Sequence, residues 1–195
     1  MSLSIIAIDP GKSGGIAFLN ADGASEACNM PETPKDLCEI FDAAFSESLL
    51  KSTPLKAYVE EVGGYLGQAQ PASAAFVFGQ GYGEIIGILT HARIPFELVR
   101  PQKWQKALSL GKSGTPKGCD QKTRERYKRE WKHKLREVAQ RLFPHLDVTL
   151  AKADALLILE YGRRLENVTV KPPPGVAKQW LPGGSDQAAQ PELLQ

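Results

Sequence analysis

The N-terminal segment limits the possible folds more than any other part of the chain. Residues 4–9 form a β-branched run that ends on an acid, Asp9, and a glycine-rich turn at residues 11–15 leads into a second apolar run at residues 16–19. Two short apolar runs joined through glycines predict a β-hairpin. An acid at the end of a buried strand is unfavourable unless a cation or hydrogen bonds compensate it. The hairpin therefore marks Asp9 as a candidate functional residue.

Strands and helices alternate along the rest of the chain, with strands concentrated at the front and helices at the back. We expect strands near residues 25–30, 56–62 and 95–99, and helices that begin at Pro34, span 72–91, run from Pro101 to Leu108, and span 120–142 and about 150–165. This order predicts an α/β fold in which helices cover a mixed sheet.

Length and composition fit one folded domain with a C-terminal extension. The chain has 195 residues, of which 42% are hydrophobic and 24% charged, as in ordinary globular proteins. Prolines, glycines and glutamines dominate after residue 168, so we expect a folded domain over residues 1–168 and a disordered tail over residues 169–195. The three scattered cysteines form no disulfide framework, and no uninterrupted apolar run reaches the length of a membrane span. These features predict an intracellular, cytoplasmic protein with no membrane partner.

The net charge of +2 hides a strong separation along the chain. Residues 1–100 hold 6 Lys and Arg against 12 Asp and Glu, whereas residues 101–144 hold 13 Lys and Arg against 4 Asp and Glu. A basic block of this size is either a solvated helix face or a surface for a polyanion.

Three acids lie at positions where an ionised carboxylate is unfavourable, and they are the candidate catalytic residues. Asp9 and Glu60 each end a predicted strand, and Asp154 interrupts an apolar helical stretch. Carboxylate oxygens are the preferred ligands of Mg²⁺ and Mn²⁺. Two such ions activate water and neutralise the leaving oxygen in phosphodiester cleavage. We therefore expect the three acids to converge on one or two divalent ions.

Each acid also has a structural interpretation. Asp9 can cap the glycine-rich turn, and Asp154 can interact with the positive end of its helix dipole. Glu60 and its neighbour Glu61 must point to opposite faces of a strand, so one of these two is an ordinary surface residue. The pattern of residues leaves both interpretations open.

Several ordered motifs resemble the RuvC-type Holliday junction resolvases, and in particular the phage-borne branch of that family. The similar stretches are Ile6–Gly11 with Gly14 and Gly15, Tyr58–Val62, Phe78–Gly83 with Ile85–Leu89, Pro101–Trp104, and Lys152–Ile158 with Glu160–Gly162. Together they extend over about residues 4–165. Several motifs in order are more specific than any one of them.

The resemblance implies an RNase H-like fold with a mixed five-stranded sheet flanked by helices. It implies a homodimer that nicks four-way DNA junctions with Mg²⁺ or Mn²⁺, and Asp9, Glu60 and Asp154 match the catalytic acids of the family. The sequence departs from the family pattern at Leu150 and Ala151, which stand where a further carboxylate is usual. We therefore expect two ions, the second weakly held.

The basic block supplies the predicted DNA-binding residues. These are Lys103, Lys112, Lys117, Lys122, Arg126, Arg129, Lys132 and Lys152. Their charges would replace counterions on DNA phosphates. Tyr127 and Trp131 lie four residues apart on one helical face, where they either stack on unpaired bases or pack against the protein. For Lys152, two residues from Asp154, a role in balancing the acids is the alternative.

The sequence thus predicts a crossover junction endodeoxyribonuclease, a hydrolase that acts on phosphodiester bonds. Two alternatives stay open. The first is a junction-binding or nucleic-acid-binding protein with a degraded catalytic site, which the missing fourth acid favours. The second is a nuclease of the same fold that acts on RNA or on another branched DNA.

Overall fold

The computed structural model describes residues 3–63, 72–112 and 114–168. The elements are β1 (Ser4–Asp9), β2 (Gly15–Leu19), β3 (Ser25–Asn29), α1 (Pro34–Leu50), β4 (Leu55–Glu60), α2 (Ala72–His91), β5 (Phe96–Val99), α3 (Pro101–Ala107), α4 (Gln121–Leu142) and α5 (Leu150–Leu165). Every predicted strand and helix is present, although β4 ends at Glu60 and not at Val62. The predicted tail at residues 169–195 lies outside the described residues, so the domain boundary at residue 168 stays a prediction.

The five strands form one mixed sheet in the order β3-β2-β1-β4-β5. Short turns connect β1, β2 and β3, which therefore pair antiparallel. Helices α1 and α2 connect the later strands, so β4 and β5 run parallel to β1. This mixed five-stranded sheet flanked by helices confirms the predicted α/β fold class.

Strand alternation divides the interior into two cores, one on each face of the sheet. In β1, Ile6 and Ile8 pack with α1 and α2, whereas Ile5 and Ala7 pack on the opposite face with α3, α4 and α5. All four side chains are fully buried, as expected for a central strand covered on both faces. We call the face covered by α3, α4 and α5 the α5 face.

Helix α5 is the most deeply buried helix of the fold. Ten consecutive residues, Ala153–Gly162, are buried, because the sheet covers one side of the helix and α3 and α4 cover others. Two of these buried residues are acids, Asp154 and Glu160. A buried carboxylate requires compensation, so these two positions need a physical account.

Helix α2 is more exposed than α1, which covers the same face of the sheet. It buries only Ile85 and Leu89, and Phe76 is 73% exposed. By length and composition α2 is sufficient to cross a membrane, although its glycines interrupt every long apolar run in the sequence. Ile85 and Leu89 nevertheless anchor α2 to the sheet beside α1. The absence of a membrane partner stays a prediction.

Candidate active site

Strand alternation places Asp9 and Glu60 on the α5 face. Asp9 follows Ile5 and Ala7 at two-residue intervals along β1, and Glu60 follows Tyr58 in β4, whose ring packs on the same face. The two strands are parallel neighbours, with Ile8 opposite Val59. The two acids therefore lie side by side at the carboxyl ends of adjacent parallel strands.

The first turns of α5 bring Asp154 to the same end of the sheet. Thr149 caps the helix through a hydrogen bond from the Lys152 amide. Gly15, where β2 begins, lies directly against this turn: a Cβ built on Gly15 would stand 2.8 Å from the Ala151 carbonyl oxygen. Because only glycine permits this approach, α5 sits close enough to the hairpin for Asp154 to reach the two strand-end acids.

The three carboxylates are close enough to repel one another. Burial, followed by repulsion from Asp154 and Glu60, raises the pKa of Asp9 to about 8. Burial and repulsion from Asp154 raise the pKa of Glu60 to about 7. The structure therefore brings together the three predicted catalytic acids, although their catalytic role is not thereby tested.

Trp104 orients Glu60. Its buried indole Nε1 donates a hydrogen bond of 3.1 Å to Glu60 Oε2, and this bond favours the ionised carboxylate. Sequence reasoning placed Trp104 in a family-like motif but gave it no role. The available signal was the tryptophan itself in a short predicted helix, since an indole N–H that becomes buried needs an acceptor.

Lys132 lies among the acids. From the sequence we predicted only that this lysine contacts DNA. Its ammonium group forms an ion pair with Asp154 Oδ2 and attracts Asp9 and Glu60 electrostatically. Burial opposes the charge of this ammonium, but attraction to the carboxylates outweighs burial and raises the pKa of Lys132. Lys152 instead donates to the Asp147 carbonyl oxygen at 2.8 Å. Lys132, rather than Lys152, is thus the lysine that compensates the acids.

A buried oxygen of Asp154 has no hydrogen-bond partner among the described residues. This atom is Oδ1. Such an orphaned carboxylate oxygen is rare in folded proteins unless an ion or a ligand uses it. With Asp9 and Glu60 beside it, this donor set has the chemistry of a site for a hard divalent cation.

The three carboxylates remain spaced apart in this structure. Within residues 3–63, 72–112 and 114–168, no three His, Cys, Asp or Glu side chains are grouped closely enough to hold a metal ion as they stand. Mutual repulsion between the carboxylates opposes a closer arrangement, and a divalent cation bound here would offset that repulsion.

Other acids considered from the sequence lie elsewhere. Glu61 accepts a 3.0 Å hydrogen bond from Arg100, which confirms that it does not share the position of Glu60. Leu150 is 40% exposed at the start of α5, and Ala151 follows it. Neither residue can supply the further carboxylate that the family pattern contains.

The predicted DNA-binding residues occupy one broad surface that borders the acids. The exposed residues of this set are Lys103, Lys112, Lys117, Lys122, Arg126 and Arg129, whereas Lys152 is half-buried. Lys132 is exposed along its side chain, but its ammonium group faces the acids. Lys103 is already paired with Glu97 at 2.9 Å, so its charge is partly neutralised. Contact of these residues with DNA stays a prediction.

A pocket of about 450 Å³ lies on this surface, and Lys132 links it to the acids. Its lining residues are Gln105, Lys112, Lys128, Trp131 and Lys132. Trp131 is half-buried and packs against the core, which confirms the structural interpretation of this residue, while Lys134 lies 5.3 Å from the centre of its ring. The pocket thus combines cationic groups with one aromatic wall, and Lys132 belongs both to the pocket and to the acidic cluster.

Comparison with solved structures finds the family that the sequence motifs resemble. Thermus thermophilus RuvC in complex with a Holliday junction substrate matches at 17% identity and a TM-score of 0.49, over 84% of this chain and 96% of that chain. A second Thermus thermophilus RuvC structure matches at 18% identity and a TM-score of 0.45, over 84% of this chain and 97% of that chain. No protein-family model matches the sequence, and a comparison with curated proteins finds no match.

Proposed function

We propose that this protein is a structure-selective DNA endonuclease that resolves four-way (Holliday) junctions by metal-dependent phosphodiester hydrolysis. The observation that carries the proposal is the convergence of Asp9, Glu60 and Asp154, with one buried oxygen of Asp154 left unpaired among the described residues. Clusters of buried acids with strongly raised pKa values are typical of functional sites. The motifs that resemble RuvC-type resolvases indicate which reaction such a cluster would catalyse.

The three acids hold Mg²⁺ or Mn²⁺ in this proposal. The bound ion would activate water and neutralise charge that develops on the scissile phosphate. Trp104 fixes the orientation of Glu60 through its 3.1 Å hydrogen bond. Gly14 keeps the hairpin turn close to Asp9, because a Cβ at this position would collide with the Asp9 carbonyl group. Leu150 and Ala151 replace the usual further carboxylate, so the site has less negative charge with which to hold a second ion.

The basic surface holds the DNA backbone in this proposal. Helix α4 presents Lys122, Arg126 and Arg129 to solvent, and the pocket beside Lys112 and Lys128 leads to Lys132 at the acids. Phosphates bound along this path would release counterions. A strand that follows α4 would thus place one phosphate next to the three carboxylates.

A homodimer is the assembly that the proposal requires, and α2 is the surface that suits it. Phe76 and Val77 are exposed apolar residues on this helix. Glycines recur every four residues at Gly79, Gly83 and Gly87, and a Cβ built on any of them would meet no atom within 4 Å. Small residues at this spacing let a second helix approach closely. Two copies related by a two-fold axis would present two sites to opposing strands of a junction.

The assembly is tested by sedimentation of the wild type and of Phe76→Glu. The wild type should sediment as a dimer at micromolar concentration, and the variant should sediment as a monomer with an unchanged circular dichroism spectrum. Leu50→Glu is the matched control, because Leu50 is also exposed but lies on α1. A wild-type monomer, or a Phe76→Glu dimer, would exclude α2 as the interface.

The activity is tested with labelled four-way, flap, duplex and RNA substrates in Mg²⁺ and in Mn²⁺. Paired nicks in opposing strands of the four-way substrate are expected, together with loss of cleavage on chelation. Preferential cleavage of flaps or RNA would favour a nuclease of the same fold with another substrate. Junction binding without cleavage in either metal would favour a degraded site, an alternative that the Lys132–Asp154 ion pair supports.

A further inference from the structure

We propose that the Lys132 ammonium group is the second cation of the active centre and stands in place of a second divalent ion. This inference rests on the proposed nuclease function and deepens it. It follows from the way the Asp154 carboxylate is divided. Oδ2 is paired with Lys132, whereas Oδ1 is buried without a partner among the described residues. A carboxylate that bridges two cations presents one oxygen to each of them, and Asp154 already presents one oxygen to an ammonium group.

The charge balance agrees with one divalent ion rather than two. Asp9, Glu60 and Asp154 carry three negative charges when ionised, and Lys132 with one divalent ion carries three positive charges. A second divalent ion would leave the centre with excess positive charge unless another carboxylate were added. Ala151 and Leu150 occupy the positions where the family pattern adds one, so the missing acid and the presence of Lys132 both disfavour a second divalent ion.

Packing of α4 holds Lys132 in this position. Leu135 and Ala139 are buried between α4 and α5, and Lys132 lies one turn before Leu135 on the same side of the helix. Lys134 follows two residues later and reaches away to the Leu110 carbonyl oxygen at 3.0 Å. Of the many cations of α4, Lys132 is thus the one that the helix directs to the carboxylates.

The position of Lys132 also gives its ammonium group a task during cleavage. Lys132 lines the pocket that it shares with Lys112 and Lys128, through which a DNA phosphate would reach the acids. An ammonium group at this junction would hold a phosphate oxygen and neutralise negative charge as it develops there. It would supply the electrostatic part of the role that a second ion has in two-ion nucleases.

The test is the stoichiometry of Mn²⁺ binding, measured by electron paramagnetic resonance of free Mn²⁺ in titrations of metal-free protein. The wild type should bind one ion per chain. Lys132→Gln should bind two ions, the first about tenfold or more tightly than the wild type, because a repelling charge has been removed. Lys132→Arg keeps the charge and should bind one. Lys128→Gln is the matched control, since it removes one charge from the same pocket one turn earlier, and it should bind one ion with wild-type affinity.

Cleavage provides the second measurement. At a Mg²⁺ concentration that fills only the first site of Lys132→Gln, this variant should cleave the four-way junction about 100-fold more slowly than the wild type, as expected when one electrostatic stabiliser is lost. Cleavage should recover at higher Mg²⁺, as a second ion replaces the ammonium group. Two ions in the wild type, or a Lys132→Gln titration that matches that of Lys128→Gln, would overturn the inference. Failure of the proposed function looks different: the ion counts would change as described, but no variant would cleave any nucleic acid.

Discussion

Two buried carboxylates on the same helix differ in how they are compensated. Glu160, towards the C-terminal end of α5, accepts hydrogen bonds of 2.6 and 2.7 Å from Arg163 and one of 2.7 Å from Arg164. Asp154, near the start of α5, is paired with Lys132 alone and leaves Oδ1 unpaired among the described residues. Each acid is only 5% exposed, so burial does not explain the difference.

We propose that the difference separates a structural acid, Glu160, from a functional one, Asp154. Burial disfavours ionised Glu160, but the two arginines outweigh burial and lower its pKa. At the other end of the helix, burial and mutual repulsion raise the pKa values of Asp9 and Glu60. A buried acid whose oxygens all have hydrogen-bond partners stabilises the fold, whereas a group of buried acids with an unpaired oxygen is typical of a ligand-binding site. The comparison therefore predicts opposite behaviour for variants at the two ends of α5.

The largest expected effect is on cleavage by Asp154→Asn. The variant should lose at least about 1000-fold in cleavage rate, because removing a carboxylate ligand disables the ion that drives hydrolysis. Junction affinity should be equal to or tighter than that of the wild type, since one negative charge facing phosphate is gone. Single-turnover cleavage and gel-shift titration measure the two quantities. Glu160→Gln serves as the control and should retain near wild-type cleavage per folded molecule.

Stability should show the reverse order. Glu160→Gln should lower the free energy of unfolding by about 3 kcal/mol, because it leaves two partly buried arginine side chains without their carboxylate. Asp154→Asn should change the stability of the metal-free protein much less, since the acid it removes is incompletely paired. Urea unfolding at pH 7 measures both. Equal losses in the two variants would break the distinction between the two ends of α5.

The pH dependence of stability should have opposite signs at the two ends. Asp9 and Glu60 bind protons more tightly in the folded protein than in the unfolded chain, so metal-free stability should fall as the pH rises from about 5 to 8. Asp9→Asn should remove part of this loss and stabilise the metal-free protein at pH 8 by roughly 1 to 3 kcal/mol. The contribution of Glu160 is present above its unfolded pKa and is lost as the pH falls through its lowered folded pKa. Thermal melts between pH 2.5 and pH 8.5 in chelator would show both slopes, and a flat wild-type profile would contradict the prediction.

The smallest effect is expected when an acid is added beside the incomplete cluster. Ala151→Asp should lower the Mn²⁺ concentration for half-maximal cleavage by about three- to tenfold, because metal affinity rises with the number of charged ligands. Mn²⁺ should support wild-type cleavage better than Mg²⁺, since it tolerates imperfect geometry. Metal titrations of cleavage for wild type and Ala151→Asp test this. An acid placed at the opposite end of the helix, Leu165→Asp, is the control and should leave the metal requirement unchanged.

The sequence alone determined the local structure, including the strand ends at which Asp9 and Glu60 lie. Two apolar runs joined by a glycine-rich turn located β1 and β2, and the start predicted for α1 and the bounds predicted for α2 and α5 agree with the structure. Strand alternation also separated Glu60 from Glu61, because successive strand residues point to opposite faces. These properties depend on neighbouring residues, so a sequence contains enough information to predict them.

Only the tertiary structure decided which charges meet. The sequence shows eight Lys and Arg residues from Lys122 to Arg136 but not which one faces α5. It assigned both Lys132 and Lys152 to DNA and gave a role in balancing the acids only as an alternative for Lys152. The approach of α4 to α5 depends on the burial of Leu135 and Ala139, which are far in sequence from the strand-end acids. The hydrogen bond from the Trp104 indole to the β4 carboxylate depends on the same kind of long-range packing. Charge compensation in this site is a property of several elements that pack together, and no single segment specifies it.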